Sequence, residues 1–353
     1  MAVAAAAAAA ASAALAAGSG RDELRARAAR CEASGRPILV VGSLNADIIL
    51  EISRLPKRGE TLGARKPDTG YMVPGGKGAN QAVATARLSQ GTGRVTQFVC
   101  QFGNDSHAKV LEKVLVDNGL DISECNHTDK PSGQAFIFLE PDGHNSILIV
   151  GGANVAWPAA ANDQPGLGLS RKASAVLLQK EVPEHVNEAI AEAAASAGVC
   201  VIQDVGGEDR PFSPGFFRHL TYICPNETEL ERLTGLPTST EAQVIAAARE
   251  LQKKGVRNVL VTLGADGAVL LTEGGMVFRQ SAFPVPGGRV VDTTGAGDTF
   301  RAAFAVALVE GKPLQECLRF AVAASAISVS RMGAIPSLPL RAETDSLMKF
   351  GHV

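Results

Sequence analysis

The densest concentration of chemistry in this sequence is Asp292-Thr-Thr-Gly-Ala-Gly-Asp298-Thr-Phe300. Small residues run straight into an apolar helix predicted over residues 298–310. Backbone N–H groups at a helix start have no intrahelical partner, so those of Gly295, Ala296 and Gly297 can form an anion site. The carboxylate of Asp298 can simply cap the helix, but beside a nest of amides it can also face a substrate hydroxyl. A second segment, Pro74-Gly-Gly-Lys-Gly-Ala-Asn-Gln-Ala82, precedes a helix predicted from about Ala79 to Leu88. Gly75, Gly76 and Gly78 let backbone approach a ligand closely, and Lys77 and Asn80 add polar groups. Because Gly78 follows Lys77 where a Walker A loop has Ser or Thr, the segment is not that loop. A tight turn is its plain alternative.

Three further groups fall at strand ends. Thr262-Leu263-Gly264-Ala265-Asp266-Gly267 closes a β-branched run with a glycine-flanked turn that can cradle phosphate or support an adenine ring, or act only as a turn. Asn226 and Glu229 follow a short strand ending at Cys224. They can reach phosphate oxygens or magnesium-bound water, and their spacing also fits a capping box. Asn45 and Asp47 share one strand phase beyond the first strand, beside a crevice or along a solvated edge. The six histidines are scattered without metal-ligand spacing, and neither a nucleophile elbow nor a dinucleotide fingerprint occurs.

These groups are spaced by the elements that must position them. Strands are predicted at 37–42, 96–102, 175–179, 199–204, 222–224 and 259–263. Helices are predicted at 106–118, 184–197, 227–233, 241–254, 298–310 and 313–330, with a short one after Leu340. Strands separated by helices of this length make βαβ units and an α/β sandwich. Two stretches break the rhythm, 47–73 and 133–150, the second with a hairpin signature around Pro141-Asp-Gly143. Together they form a small antiparallel sheet, read here as a lid over a ligand cleft. Of the 353 residues, 46% are hydrophobic and 20% charged, enough for a large core, and the net charge of −2 argues against a nucleic-acid or membrane-surface partner. No apolar run is long enough to span a bilayer. Six cysteines without C-x-x-C spacing argue against a disulfide framework or a cysteine zinc cluster and fit a reducing compartment. Residues 1–35 differ in kind. An alanine run followed by Arg21, Arg25, Arg27 and Arg30 reads as an organelle transit peptide, plastid before mitochondrion, with the folded domain spanning 36–353.

This ordered set of motifs resembles the ribokinase branch of the PfkB carbohydrate kinase family, from about Arg36 to the C terminus. The resemblance is carried by Gly75-Gly-Lys-Gly-Ala-Asn80, Asp292 to Phe300, Val41-Gly-Ser-Leu-Asn45-Ala-Asp47, Leu178-Gln-Lys-Glu181, Pro225-Asn-Glu-Thr-Glu229 and Ser328 to Ser337. It implies a three-layer α/β/α sandwich with a mostly parallel central sheet and a small antiparallel β lid, and a homodimer formed through that lid. The implied activity is ATP-dependent phosphorylation of the O5 hydroxyl of D-ribose. Asp298 would then be the base, with Gly295, Ala296 and Gly297 holding the transferred phosphoryl group. Asn45, Asp47, Gly75, Gly76, Lys77, Asn80 and Glu181 would grip the sugar. Asn226, the 262–267 turn and Gly297 would face ATP, and Glu229 would help Mg2+ through water. A K+ site is implied between Asp292 and Thr294 on one wall and Ser328, Arg331, Gly333 and Ser337 on the other, mostly through backbone oxygens. Family substrates such as adenosine, fructose or deoxyribose keep the same chemistry. A non-catalytic scaffold role would require loss of Asp298 or the anion loop, and both are present.

Overall fold

The computed structural model describes residues 35–141 and 144–352. Residues 1–34 of the expected leader therefore lie outside the described residues, as do Asp142 and Gly143 of the expected 141–143 turn.

The strands are β1 (Ile38–Val41), β2 (Asn45–Glu51), β3 (Tyr71–Gly75), β4 (Thr96–Val99), β5 (Gln101–Phe102), β6 (Asn126–His127), β7 (Gly133–Leu139), β8 (Asn145–Val150), β9 (Ala175–Lys180), β10 (Cys200–Gly207), β11 (Tyr222–Cys224), β12 (Asn258–Thr262), β13 (Ala268–Leu271) and β14 (Val277–Gln280). The helices are α1 (Lys77–Leu88), α2 (Ser106–Asp117), α3 (Leu167–Ser170), α4 (Glu184–Ser196), α5 (Glu227–Thr234), α6 (Glu241–Lys253), α7 (Ala296–Val309), α8 (Leu314–Ser328) and α9 (Arg341–Phe350).

Eight strands form the central sheet in the order β14-β13-β12-β11-β10-β9-β1-β4. β4 through β12 pair in parallel, and the β12-β13-β14 edge is antiparallel. The alternation of strand side chains divides the core between the two faces. Ile38, Val40, Ala175 and Leu177 pack with α1, α2, α7 and α8, against Leu88, Leu115, Phe304 and Phe320. Leu39, Val41, Val176 and Leu178 pack on the opposite side with α4 and α6, through Ile190, Ala194, Ala248 and Leu251. Burial on both faces explains why these strands read as continuous apolar runs. The predicted 96–102 strand divides at Cys100 into β4 and β5, and β5 leaves the central sheet to pair with β6.

The second sheet has the order β3-β2-β7-β8. Its outer pairs, β2 with β3 and β7 with β8, are antiparallel, whereas the central pair, β2 with β7, is parallel. Only three residues, Gly42, Ser43 and Leu44, separate β1 from β2. Asn45 and Asp47 are thereby carried from the central sheet directly into the small one.

Candidate active site

The site lies where the carboxyl ends of β1, β9 and β10 meet the N-terminal ends of α1 and α7, the place where open α/β sheets bind ligands. α7 begins at Ala296, two residues before the predicted start. Gly295 is its N-cap, with φ 77° and no side-chain cap. A side chain there would be strained in the left-handed region, and its Cβ would fall 3.2 Å from Ala334 Cα. Asp298 is therefore the third residue of the helix, not its cap. Its nearly buried carboxylate faces α1. Asn80 Nδ2 donates to Asp298 Oδ2 and Gln81 Nε2 to Asp298 Oδ1, both at 3.0 Å. Lys77 Nζ lies 3.9 Å from Asp298 Oδ1. That proximity, with Asp204 also nearby, raises the Lys77 pKa despite its burial.

α1 in turn is capped by Gly76, with φ 89°, where a Cβ would press on the backbone of Leu44 and Asn45. This close approach locks the helix start onto the β1–β2 connection. Glu181, just beyond β9, ties the same corner together: its Oε2 accepts from Ser43 Oγ at 2.6 Å and from Lys77 N at 2.9 Å. Burial pushes the Glu181 pKa up, against the pull of Lys77. Asn45 Oδ1 accepts from Asn154 Nδ2 at 2.6 Å. Asp47 stands against the Cα of Gly75, where a Cβ would fall 1.9 Å from Asp47 Oδ2. Burial, reinforced by Glu181, raises the Asp47 pKa to about 7.

Two oxygens in this pocket, Asp47 Oδ1 and Asn80 Oδ1, are buried without any hydrogen-bond partner. Buried acceptors without partners are costly, and both suit the hydroxyls of a polyol. The structure thus gathers Asn45, Asp47, Gly75, Gly76, Lys77, Asn80, Glu181 and Asp298 into one pocket.

Four residues that the sequence motifs did not single out, Gln81, Gln179, Asp204 and Arg301, complete it. Gln81 Nε2 donates to Asp204 Oδ2 at 2.8 Å as well as to Asp298, and Gln179 Nε2 holds Gln81 Oε1 at 2.9 Å. Asp204, buried within β10, pairs with Arg301 Nη2 at 2.9 Å. Arg301 also donates twice to the Cys224 carbonyl, at 2.7 and 3.2 Å, and lies 3.8 Å from Glu229. The signals were present: Asp204 closes the predicted 199–204 strand, and Arg301 is a lone cation in an apolar helix, where a charge must find a partner.

The predicted nucleotide side also assembles. Asn226 bridges Thr262, whose N–H donates to the Pro225 carbonyl at 3.1 Å. Leu263 N–H donates to the Gly267 carbonyl at 2.8 Å, closing the turn that contains Gly264, Ala265 and Asp266. Asn226 and Glu229 form the reciprocal capping box of α5. A triphosphate fits this end of the sheet, because α7 offers an N-terminus without a side-chain cap beside it. Among the described residues no three His, Cys, Asp or Glu side chains gather around a common metal position. Glu229, the residue expected to help Mg2+, accepts from the Asn226 N–H at 2.9 Å. For a monovalent cation, the two expected walls meet. Asp292 Oδ1 accepts from Thr294 N and Oγ1 at 2.9 and 2.7 Å, and Asp292 Oδ2 accepts from Gly333 N at 2.8 Å. The Ser328 and Ser337 hydroxyls bond each other at 3.0 Å. Arg331 turns its guanidinium outward to Glu343, leaving only its backbone for the cation wall.

With this geometry in hand, comparison with known proteins is direct. The sequence matches the pfkB family carbohydrate kinases over residues 36–341. It is 47% identical to a ribokinase of Arabidopsis thaliana over 327 residues, covering 90% of this chain and 83% of that protein. It is 36% identical to a deoxyribokinase of Salmonella typhi over 306 residues, covering 86% of this chain and 95% of that protein. A solved structure of Arabidopsis thaliana ribokinase complexed with ribose and ATP superposes with a TM-score of 0.83 at 47% identity, covering 89% of this chain and 99% of that one. The chain belongs to the pfkB family of carbohydrate kinases, enzymes that transfer phosphate from ATP to a sugar or nucleoside.

Proposed function

We propose that this kinase phosphorylates D-ribose at O5, giving D-ribose 5-phosphate and ADP. The observation that carries the reading is the pairing of Asp298 with a polar pocket whose spare acceptors, Asp47 Oδ1 and Asn80 Oδ1, await hydroxyl donors. A pentose offers several hydroxyls in a fixed array, and a site built to hydrogen-bond them discriminates strongly against ligands that lack them. The likeness to a ribokinase seen with ribose and ATP supports the same substrate pair.

In the proposed reaction Asn45, Asp47, Lys77, Asn80 and Glu181 hold the sugar so that O5 points at Asp298. Asp298 takes the O5 proton. O5 bonds to the γ-phosphorus as the bond from that phosphorus to the bridging oxygen breaks, and ADP leaves with the bridging electron pair. The amides of Gly295, Ala296 and Gly297 stabilise the charge on the transferred group. Asn226 and the 262–267 turn hold the nucleotide, and Mg2+, with Glu229 acting through water, would neutralise phosphate charge. K+ between Asp292 and the 328–337 segment would hold the anion loop in shape. Pairing of two chains through the lid is supported by β8, an edge strand that exposes Ile147, Leu148, Ile149 and Val150. The leader at residues 1–35 would direct the enzyme to a plastid; a fluorescent fusion of the full chain, compared with one starting at Arg36, tests this.

The decisive assay pairs a substrate panel with Asp298→Asn. Ribose is expected to outpace 2-deoxyribose, fructose and adenosine. The variant should lose about 10²–10⁴-fold in turnover while its ribose affinity and melting temperature hold. A variant with near-normal turnover removes Asp298 as the base. Faster turnover of adenosine or deoxyribose overturns the assignment of ribose.

A further inference from the structure

Lys180 ends β9 immediately before Glu181 but faces away from the sugar pocket. It borders a separate cavity of about 310 Å3, on the α4–α6 side of the sheet, whose apolar walls include Val205, Phe212, Phe217 and Leu233. A cavity of this size falls at the lower end of the roughly 300–1,000 Å3 typical of small-molecule sites. The Lys180 side chain belongs to a residue only 3% exposed. Its ammonium donates to the Arg210 carbonyl and lies 4.6 Å from the centroid of the Phe212 ring. Among the described residues it has no carboxylate partner. The nearby acids are engaged elsewhere: Glu208 with Arg210 at 2.7 Å, Asp209 with Arg232 at 3.0 Å, and Glu184 with the Ser213 amide at 2.7 Å. Arg210, Arg232 and Lys254 line the same cavity, against the single carboxylate of Asp209. Burial, aided by Arg210 and Arg232 and opposed by Asp209 and Glu184, lowers the Lys180 pKa.

A buried ammonium with guanidinium groups around it, no direct carboxylate partner and only the more distant charges of Asp209 and Glu184 opposite it is costly. A multiply charged anion entering the cavity would offset that cost, and the apolar walls leave room for a carbon body. Neither feature is needed by the sugar or nucleotide pockets, whose charged groups are already accounted for. We propose that this cavity is a second ligand site, for a small organic phosphate whose phosphate group is held by Lys180 together with Arg210 and Arg232 and whose body rests on Phe212 and Phe217.

The test uses the full chain labelled with 13C at lysine Cε, with the Lys180 resonance assigned by its absence from Lys180→Arg. Inorganic phosphate and phenyl phosphate are the probes. Both are expected to shift the Lys180 resonance saturably and to raise the midpoint of its pH titration, with phenyl phosphate saturating at the lower concentration. Arg232→Gln, at a partly exposed position, should weaken phenyl phosphate roughly 10–100-fold. Lys113→Gln, on the exposed face of α2, should leave it unchanged. Phosphate bound only at the α7 cradle would leave the Lys180 resonance still. That result, or an Arg232→Gln variant with undiminished affinity, would overturn the proposal.

Discussion

Arg301 is the group on which the geometry places the largest demand. Its guanidinium is almost fully buried and neutralises Asp204, which is itself buried completely. Remove it by Arg301→Met, which keeps an unbranched apolar stem, and Asp204 retains only the Gln81 amide at 2.8 Å, the Gly206 N–H at 2.8 Å and Lys77 at 3.9 Å. The Cys224 carbonyl loses two donors at once. Breaking one partner out of a buried pair costs about 3–5 kcal/mol, because the other charge stays behind without compensation. In a chain of this size that lowers the melting temperature on the order of 5–10 °C. Asp204→Asn alone should cost less, since Arg301 keeps Cys224 and the vicinity of Glu229. The double variant should recover much of the loss, giving a coupling of about 2 kcal/mol or more in a double-mutant cycle read by urea unfolding. The same cycle in turnover tests the link to the base. Without Arg301, Lys77 is drawn toward Asp204 and away from Asp298, so Arg301→Met should slow catalysis and Asp204→Asn should partly rescue it. Additive effects, with coupling under about 0.5 kcal/mol, would refute the pairing as an energetic unit.

Other consequences are sharper in sign than in size. Because the Asp47 pKa is raised to about 7, its contribution to the stability of the ligand-free protein is full below the unfolded value near 4 and is lost as pH rises through 7. Asp47→Asn should flatten that fall, measured by thermal melting across pH. If ribose hydroxyls donate to the ionised form, ribose binding near pH 7 should release a fraction of a proton, visible in calorimetry as a dependence on buffer ionisation heat. Proton uptake instead would contradict this. Gly75→Ala places a methyl group against the Asp47 carboxylate and should weaken ribose binding at least about 10-fold with little loss of stability, by displacing a side chain that holds substrate. Asp292→Ala removes the acceptor shared by Thr294 and Gly333. It should abolish most of the stimulation of turnover by K+, and an undiminished K+ response would rule that role out.

How much of this was legible beforehand depended on whether the determinant was local. Helix boundaries such as 106–117 and 241–253 and the strand at 222–224 follow from periodicity and caps close in sequence, and they emerge within a residue or two of expectation. The glycine-rich segments announced helix starts at positive-φ glycines without side-chain caps, at Gly76 and Gly295, because only backbone freedom explains such residues beside apolar helices. What resisted reading was set by partners far along the chain. The division of the 96–102 run at Cys100 depends on β6, whose two residues carry no strand pattern of their own. The parallel pairing of β2 with β7 joins segments about ninety residues apart, and alternation within each cannot give direction. Gln81 shows the same limit at the level of chemistry. One residue from Asn80, it looks like helix filler. It becomes a positioning group only because α7 brings Asp298, and β10 brings Asp204, to its one amide nitrogen. The Asp298 carboxylate, proposed as the base, held by a neutral amide that is itself held by a second buried carboxylate and its arginine, is a chain of contacts across more than two hundred residues. Each link satisfies a polar group that the fold has removed from water. The order of dependence therefore runs from burial to pairing to function. The apolar packing of α7 on the sheet forces Arg301 to find Asp204, and that pairing fixes the amide that aims Asp298.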